Sequence, residues 1–242
     1  MNFSYPFVKI LITLTFLTAL ILIPINPARL HRVEPIKIMP LGDSITQSDS
    51  QHNSYRRNLW HKLKAGGYSI DFVGSQNENF GGPPPNPDFD LNHEGHWGWR
   101  VDQILEKIHD WMATYQPDIV LIHLGHNDLG RGQSIASTIQ ELGEIIDILR
   151  YHNPRVTVLL AQIIPTYPPS PAIPKLNVEI ARLAEAKNTR ESPVLRVNQA
   201  EGFDAREDTF DGLHPNESGE EKMAIRWYTA LVKVLKDKTN SP

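Results

Sequence analysis

From residue 35 onward, short runs of aliphatic and β-branched residues alternate with longer stretches whose apolar positions recur every three or four residues. That alternation of period predicts strands followed by amphipathic helices, wound as βαβ units around a parallel sheet. Five strands are expected: PIKIMPL (35–41), SIDFVGS (69–75), PDIVLIHLG (117–125), RVTVLLAQI (155–163) and VLRVN (194–198). The third and fourth are almost continuously apolar, as strands buried on both faces are, so both belong inside the sheet. Helices are expected at about 53–66, 100–115, 134–152, 174–190 and 216–237. In the last of these, Met223, Ala224, Trp227, Leu231 and Leu235 fall at helical spacing on one face. No internal repeat is present, and the sheet is expected to carry helices on both sides.

Two stretches break the pattern. Residues 76–99 (QNENFGGPPPNPDFDLNHEGHWGW) are dense in Gly, Pro and Asn, and 164–174 (IPTYPPSPAIP) repeat proline, so both are expected as loops. A connection as long as the first inside a folded domain is usually functional or mobile. Near the N-terminus, Lys9 precedes the uncharged run ILITLTFLTALILIPI (10–25), shorter than the roughly 20 residues of a membrane span and suited to the apolar part of a secretory signal. No clean small-residue cleavage site follows it, and Arg29, His31 and Arg32 come soon after, so an uncleaved anchor stays open. The expected organisation is a signal peptide or membrane anchor with a short linker over 1–34 and one folded domain over 35–242, secreted, periplasmic or membrane-anchored.

Composition narrows the chemistry. With 40% hydrophobic and 21% charged residues and a formal net charge of -4, the chain has no basic stripe, and nucleic acid is not an expected partner. The absence of cysteine excludes disulfides, thiolate metal sites and a cysteine nucleophile. His93 and His96 are three residues apart, as are His123 and His126, but neither pair has the i, i+4 spacing of a zinc-protease helix, and strand alternation points His123 away from a rim site. No metal is expected.

In an open parallel sheet, residues just past the carboxyl ends of the strands converge on one rim. Gly42, Asp43 and Ser44 follow the first strand, Gly125 to Asp128 the third, and Asp211 and His214 precede the last helix. Each alone reads as ordinary turn or capping chemistry. Together they supply a serine alcohol, an imidazole to take its proton and a carboxylate to hold the imidazole in one tautomer. Donors for the oxyanion of acyl transfer are the backbone N–H of Ser44, the backbone N–H of Gly98, with Gly95 as a competing candidate, and the side-chain amide of Asn127. Asp43 and Asp128 read as loop-ordering acceptors, and Arg56 and Arg100 as structural residues at helix starts.

These blocks, GDS at 42–44, Gly98 in HEGHWGW, GHND at 125–128 and DGLH at 211–214, resemble the SGNH/GDSL hydrolases in order and spacing over about residues 36–235. The resemblance implies a three-layer α/β/α sandwich with a five-stranded parallel, flavodoxin-like sheet, a Ser44–His214–Asp211 triad, an oxyanion hole of Ser44, Gly98 and Asn127, and no metal or organic cofactor. MPLGDSIT, SYR at 54–56, DFVGS at 71–75 and HEGHWGW look most like the branch around carbohydrate esterase family 3, which removes acetyl groups from xylan-type polysaccharides. One departure is His126, where that pattern more often has threonine. Asp43, His126 and Trp97 are the candidates for substrate contact, and Trp97, Trp99 and Tyr167 read either as sugar-stacking rings or as loop anchors. The expectation is a serine esterase acting on small acyl esters, acetyl above all, of a small molecule or polysaccharide. A lysophospholipase or thioesterase of the same superfamily, which would need an apolar groove, and a non-catalytic carbohydrate-binding module are the alternatives.

Overall fold

β1 (Ile36–Gly42) is an interior strand of a parallel sheet whose other strands are β2 (Ile70–Phe72), the two-residue β3 (Glu94–Gly95), β4 (Ile119–His123), β5 (Thr157–Gln162) and β6 (Val194–Asn198). The structure, a computed structural model, describes residues 1–2 and 34–240, with side chains described as far as Lys236. The apolar N-terminal run expected to act in export or anchoring lies outside the described residues. The strand order is β2-β1-β4-β5-β6, and β3 pairs with the end of β1, opposite Leu41 and Gly42. The two apolar runs lie inside as expected: all five residues of β4 are buried, as are five of the six in β5.

Side-chain alternation explains why those runs are apolar throughout. Val120 and Ile122 of β4 and Val158 and Leu160 of β5 face one core cluster, with Val101, Ile104, Ile108, Leu142, Ile146 and Leu176. Ile119, Leu121, Leu159 and Ala161 face the other, with Tyr55, Leu59, Leu63, Met223, Trp227 and Leu231. The helices thus divide into two layers: α2 (Ser54–Ala65) and α8 (Glu217–Asn240) cover one face, while α3 (Val101–Leu105), α4 (Ile108–Tyr115), α6 (Ile135–His152) and α7 (Ala172–Lys187) cover the other. Each fully buried aliphatic side chain contributes about 1.5–3 kcal/mol relative to exposure, so the sheet is held mainly from its two faces.

The structure departs from the sequence reading at four places. The helix expected over 100–115 is broken into α3 and α4, because Lys107 N–H turns tightly onto Ile104 C=O (3.0 Å) between the two. The long loop 76–99 contains β3. Two short helices, α1 (Ser44–Gln47) and α5 (His126–Gly130), follow β1 and β4; four or five residues are too few to show helical periodicity. Both lie on the rim where the candidate chemistry converges.

Trp227 anchors α8 with no exposed surface, its ring 6.1 Å from Tyr55 of α2. Trp227→Ala is expected to lower unfolding stability by about 3–5 kcal/mol in urea titrations followed by circular dichroism, as large buried aromatic deletions do.

Candidate active site

The turn after β1 delivers Ser44 to the rim. Asp43 caps α1 by accepting the N–H of Ile45 at Oδ1 (3.0 Å), which makes Ser44 the first residue of that helix. At the other end of the chain, Asp211 folds its own loop: Oδ1 accepts the backbone N–H groups of Leu213 (2.9 Å) and His214 (2.7 Å). Its Oδ2 is then 2.6 Å from Nδ1 of His214, and Nε2 of the same ring is 2.9 Å from Ser44 Oγ. A carboxylate accepts from Nδ1–H, so Nε2 is the bare nitrogen that faces the hydroxyl. Burial pushes the Asp211 carboxyl up, but the backbone and ring N–H groups of His214 and the N–H of Leu213 outweigh it and hold the group below its ordinary value. It is therefore ionised when the imidazole needs a partner.

The three expected oxyanion donors differ in what already engages them. The Ser44 N–H, at the start of α1, and the Gly98 N–H meet no acceptor among the described residues. Gly98 has φ +77, a left-handed conformation that suits glycine, and its carbonyl accepts a hydrogen bond from Arg131 (2.8 Å). The competing Gly95 lies in β3, where its N–H donates to Nδ1 of His93 (3.0 Å). Asn127, second residue of α5, donates one amide N–H to Trp99 C=O (2.9 Å), and its amide reaches Asp43 Oδ2 at only 3.4 Å. The Trp99 bond holds the Asn127 side chain against the Trp97–Trp99 loop, and the long contact to Asp43 leaves its second amide N–H only weakly engaged.

Buried polar groups underlie this rim. Asp43 is 1% exposed, so its carboxyl orders the loops from beneath. Burial pushes Asp43 up to about 7, with Ile45 N–H opposing and the nearby Asp128 charge adding to the rise. Burial likewise pushes Asp128 up to about 6, while its Oδ1 accepts the N–H of Val101 (3.1 Å). Arg56, which sequence reasoning placed only as a helix-start residue, is 1% exposed and holds α1 from below. It donates to Thr46 C=O (2.9 Å), Gln47 C=O (3.1 Å), Leu91 C=O (2.9 Å) and Asn79 Oδ1 (2.7 Å). Burial lowers its guanidinium to about 10, still charged at neutral pH. Glu220 of α8 accepts the N–H of Ser54 (2.7 Å) and shares a small void with Ser44 and His214; burial pushes it up to about 7. Nothing in the sequence singled it out, because an acid in a first helical turn is ordinary.

The remaining candidates fall in distinct places. Trp97 does not present a bare ring: it stacks on Phe80 (4.8 Å between centroids) and on His214 (4.7 Å). His126 is 8% exposed; its Nε2 is 2.8 Å from Ile164 C=O, and burial lowers the ring to about 4, so Nε2 carries the proton and donates. His93 and His96 have separate partners, Glu78 C=O (3.1 Å) and Glu94 Oε1 (2.6 Å). Beyond Asn127 opens a cleft of about 450 Å³ between α5 and the loop after β5, with Leu129, Arg131, Tyr167, Ile173 and Leu213 among its walls. This partly apolar cleft was not legible in the sequence.

A model of the GDSL-like lipase/acylhydrolase family matches residues 41–222. Among solved structures, an acetyl esterase with bound acetate ion superposes with a TM-score of 0.75 at 33% identity, covering 84% of this chain and 99% of its own. A family 3 carbohydrate esterase from Clostridium thermocellum gives 0.74 at 35% identity, covering 84% and 98%. A multidomain esterase of Ruminococcus flavefaciens is 30% identical over 91% of this chain, which spans 31% of that protein's length.

The Glu220 carboxyl gives a pH-dependent stability. Its pKa is raised from 4.5 to about 7 on folding, so the folded chain holds the proton more tightly, and stability is lost as pH rises between those values. Glu220→Gln keeps an oxygen for Ser54 and has no proton to lose. From pH 5 to pH 8 it is expected to gain about 2 kcal/mol on the parent protein in urea denaturation.

Proposed function

The chain belongs to the GDSL-like lipase/acylhydrolase family and is a carboxylic ester hydrolase; we propose that it is a serine esterase that removes acetyl groups from carbohydrate. Ser44 is the nucleophile. As its Oγ attacks the ester carbon, the proton passes to Nε2 of His214, and Asp211 steadies the imidazolium through Nδ1–H. The carbonyl oxygen, now an oxyanion, takes hydrogen bonds from Ser44 N–H, Gly98 N–H and the Asn127 amide. His214 returns its proton to the departing sugar oxygen, leaving an acetyl ester on Ser44. A water molecule then gives a proton to His214 and attacks that ester; as the bond to Ser44 Oγ breaks, His214 returns the proton to the serine oxygen, and acetic acid leaves and ionises to acetate in water.

The observation that carries this reading is the line of hydrogen bonds Asp211–His214–Ser44 at 2.6 and 2.9 Å, beside two unclaimed backbone N–H groups. The acetyl and carbohydrate parts rest on the two similar esterases, at 33% and 35% identity. The apolar run at 10–25 supports export or anchoring of the domain. One observation favours a second reading, an esterase for longer acyl chains: the cleft of about 450 Å³ beside Asn127 exceeds what an acetyl group fills.

Acetate release from acetylated xylan, set against hydrolysis of an octanoyl ester, separates the two. Preference for xylan acetate is expected, and preference for octanoate would favour the second reading. Ser44→Ala is expected to lower kcat by about 10⁵-fold and to abolish labelling by a fluorophosphonate; a variant still labelled and active would remove Ser44 from the mechanism. Asn127→Ala is expected to cost about 10²–10³-fold in kcat, the usual loss for one oxyanion donor.

A further inference from the structure

Four loops place five rings in series through the site. Phe80 stacks on Trp97 at 4.8 Å and 24°, Trp97 on His214 at 4.7 Å and 16°, His214 on Phe210 at 5.7 Å and 17°, and Phe210 on His52 at 4.0 Å and 4°. Phe80 and Phe210 are 53% and 43% exposed, so burial in the core does not account for either. Phe210 is fixed by its backbone as well, its N–H donating to His214 C=O (3.0 Å). The edges of the imidazole are thus held by Asp211 and Ser44, and its faces by Trp97 and Phe210.

We propose that Trp97 and Phe210 are positioning residues that act through His214, keeping the ring in line between Asp211 and Ser44 and favouring the imidazolium formed when it takes the serine proton. This rests on the roles given above to Ser44 and His214 and goes beyond them. An aromatic face carries the negative part of the ring quadrupole and attracts a cation more than a neutral ring. Because the imidazolium develops in the transition state and not in the resting enzyme, that difference lowers the barrier.

The other ionisable groups around the ring leave this contribution distinct. Asp211 is on the same loop, and Asp43 lies beneath Ser44. Glu220 and Asp49 border the small void beside Ser44 and His214, and Asp49 also holds Nδ1 of His52 (2.7 Å) beyond Phe210. From α5, His126 is neutral above about pH 4, its burial lowering it, and brings no competing cation. None of these groups is altered by exchanging Trp97 or Phe210.

Trp97→Leu and Phe210→Leu keep apolar bulk and remove the ring, whereas Trp97→Phe and Phe210→Tyr keep one. With p-nitrophenyl acetate, the Leu variants are expected to lose about tenfold in kcat at similar KM, and the acid limb of kcat/KM to move about half a pH unit toward acid. The ring-keeping variants are expected within about twofold of the parent, on the scale of a modest change in ring–cation attraction. A limb that stays in place, or moves toward alkali as extra water around the imidazole would cause, overturns the proposal, as do Leu variants equal to the ring-keeping ones. NMR titration of the His214 ring in Ser44→Ala, with and without Phe210→Leu, reads the same shift without turnover. An acid shift there beside an inactive parent enzyme would sink the esterase reading alone; an active parent without the shift would sink the stack alone.

Discussion

One hydrogen bond, from Ser44 to His214, joins positions 170 residues apart, and the rest of the site is arranged so that it can form. A parallel sheet makes it feasible because the ends of β1 and β4 and the approach to α8 all open on one rim. The core supplies the rigidity. β1, β4 and β5 are clamped between two apolar layers, so the loops at their ends start from fixed points.

Local chemistry then carries that fixity the last few ångströms. Asp43 and Asp211 each close a turn with the same device, a carboxylate accepting backbone N–H groups just downstream, and each leaves its second oxygen to face the site. Arg56 does for the underside of α1 what those carboxylates do for the turns, filling carbonyls that a short buried helix leaves unpaired. A buried charge surrounded by acceptors is costly to remove from either side, because the acceptors would be orphaned in turn. The floor of the site is accordingly stiff.

Much of this was legible in the sequence and some was not, for physical reasons. The interior strands could be read because burial on both faces forces continuous apolarity, and the long helices because one face must be apolar. Helices α1 and α5 escaped, since a single turn has no period, and β3 escaped because two residues cannot alternate. In the site, Ser44, Asp211 and His214 stood out through residue type and position after strands. Arg56 and Glu220 did not, because their importance lies in burial, which neither residue type announces. Trp97 was visible as an aromatic beside the site, but that Phe80 and His214 already occupy its ring depends on how distant loops meet, which no residue type announces.

The pairing of β3 with the end of β1 has a consequence of its own. Glu94 and Gly95 are stitched to Leu41 and Gly42, and His96 N–H continues the ladder onto Gly42 C=O (3.0 Å), so the segment leading to Gly98 is an extension of the sheet and not a hanging flap. Swinging that segment aside would mean unzipping the sheet. An ester therefore meets a mould already cast, and discrimination among esters falls to what the fixed cleft admits.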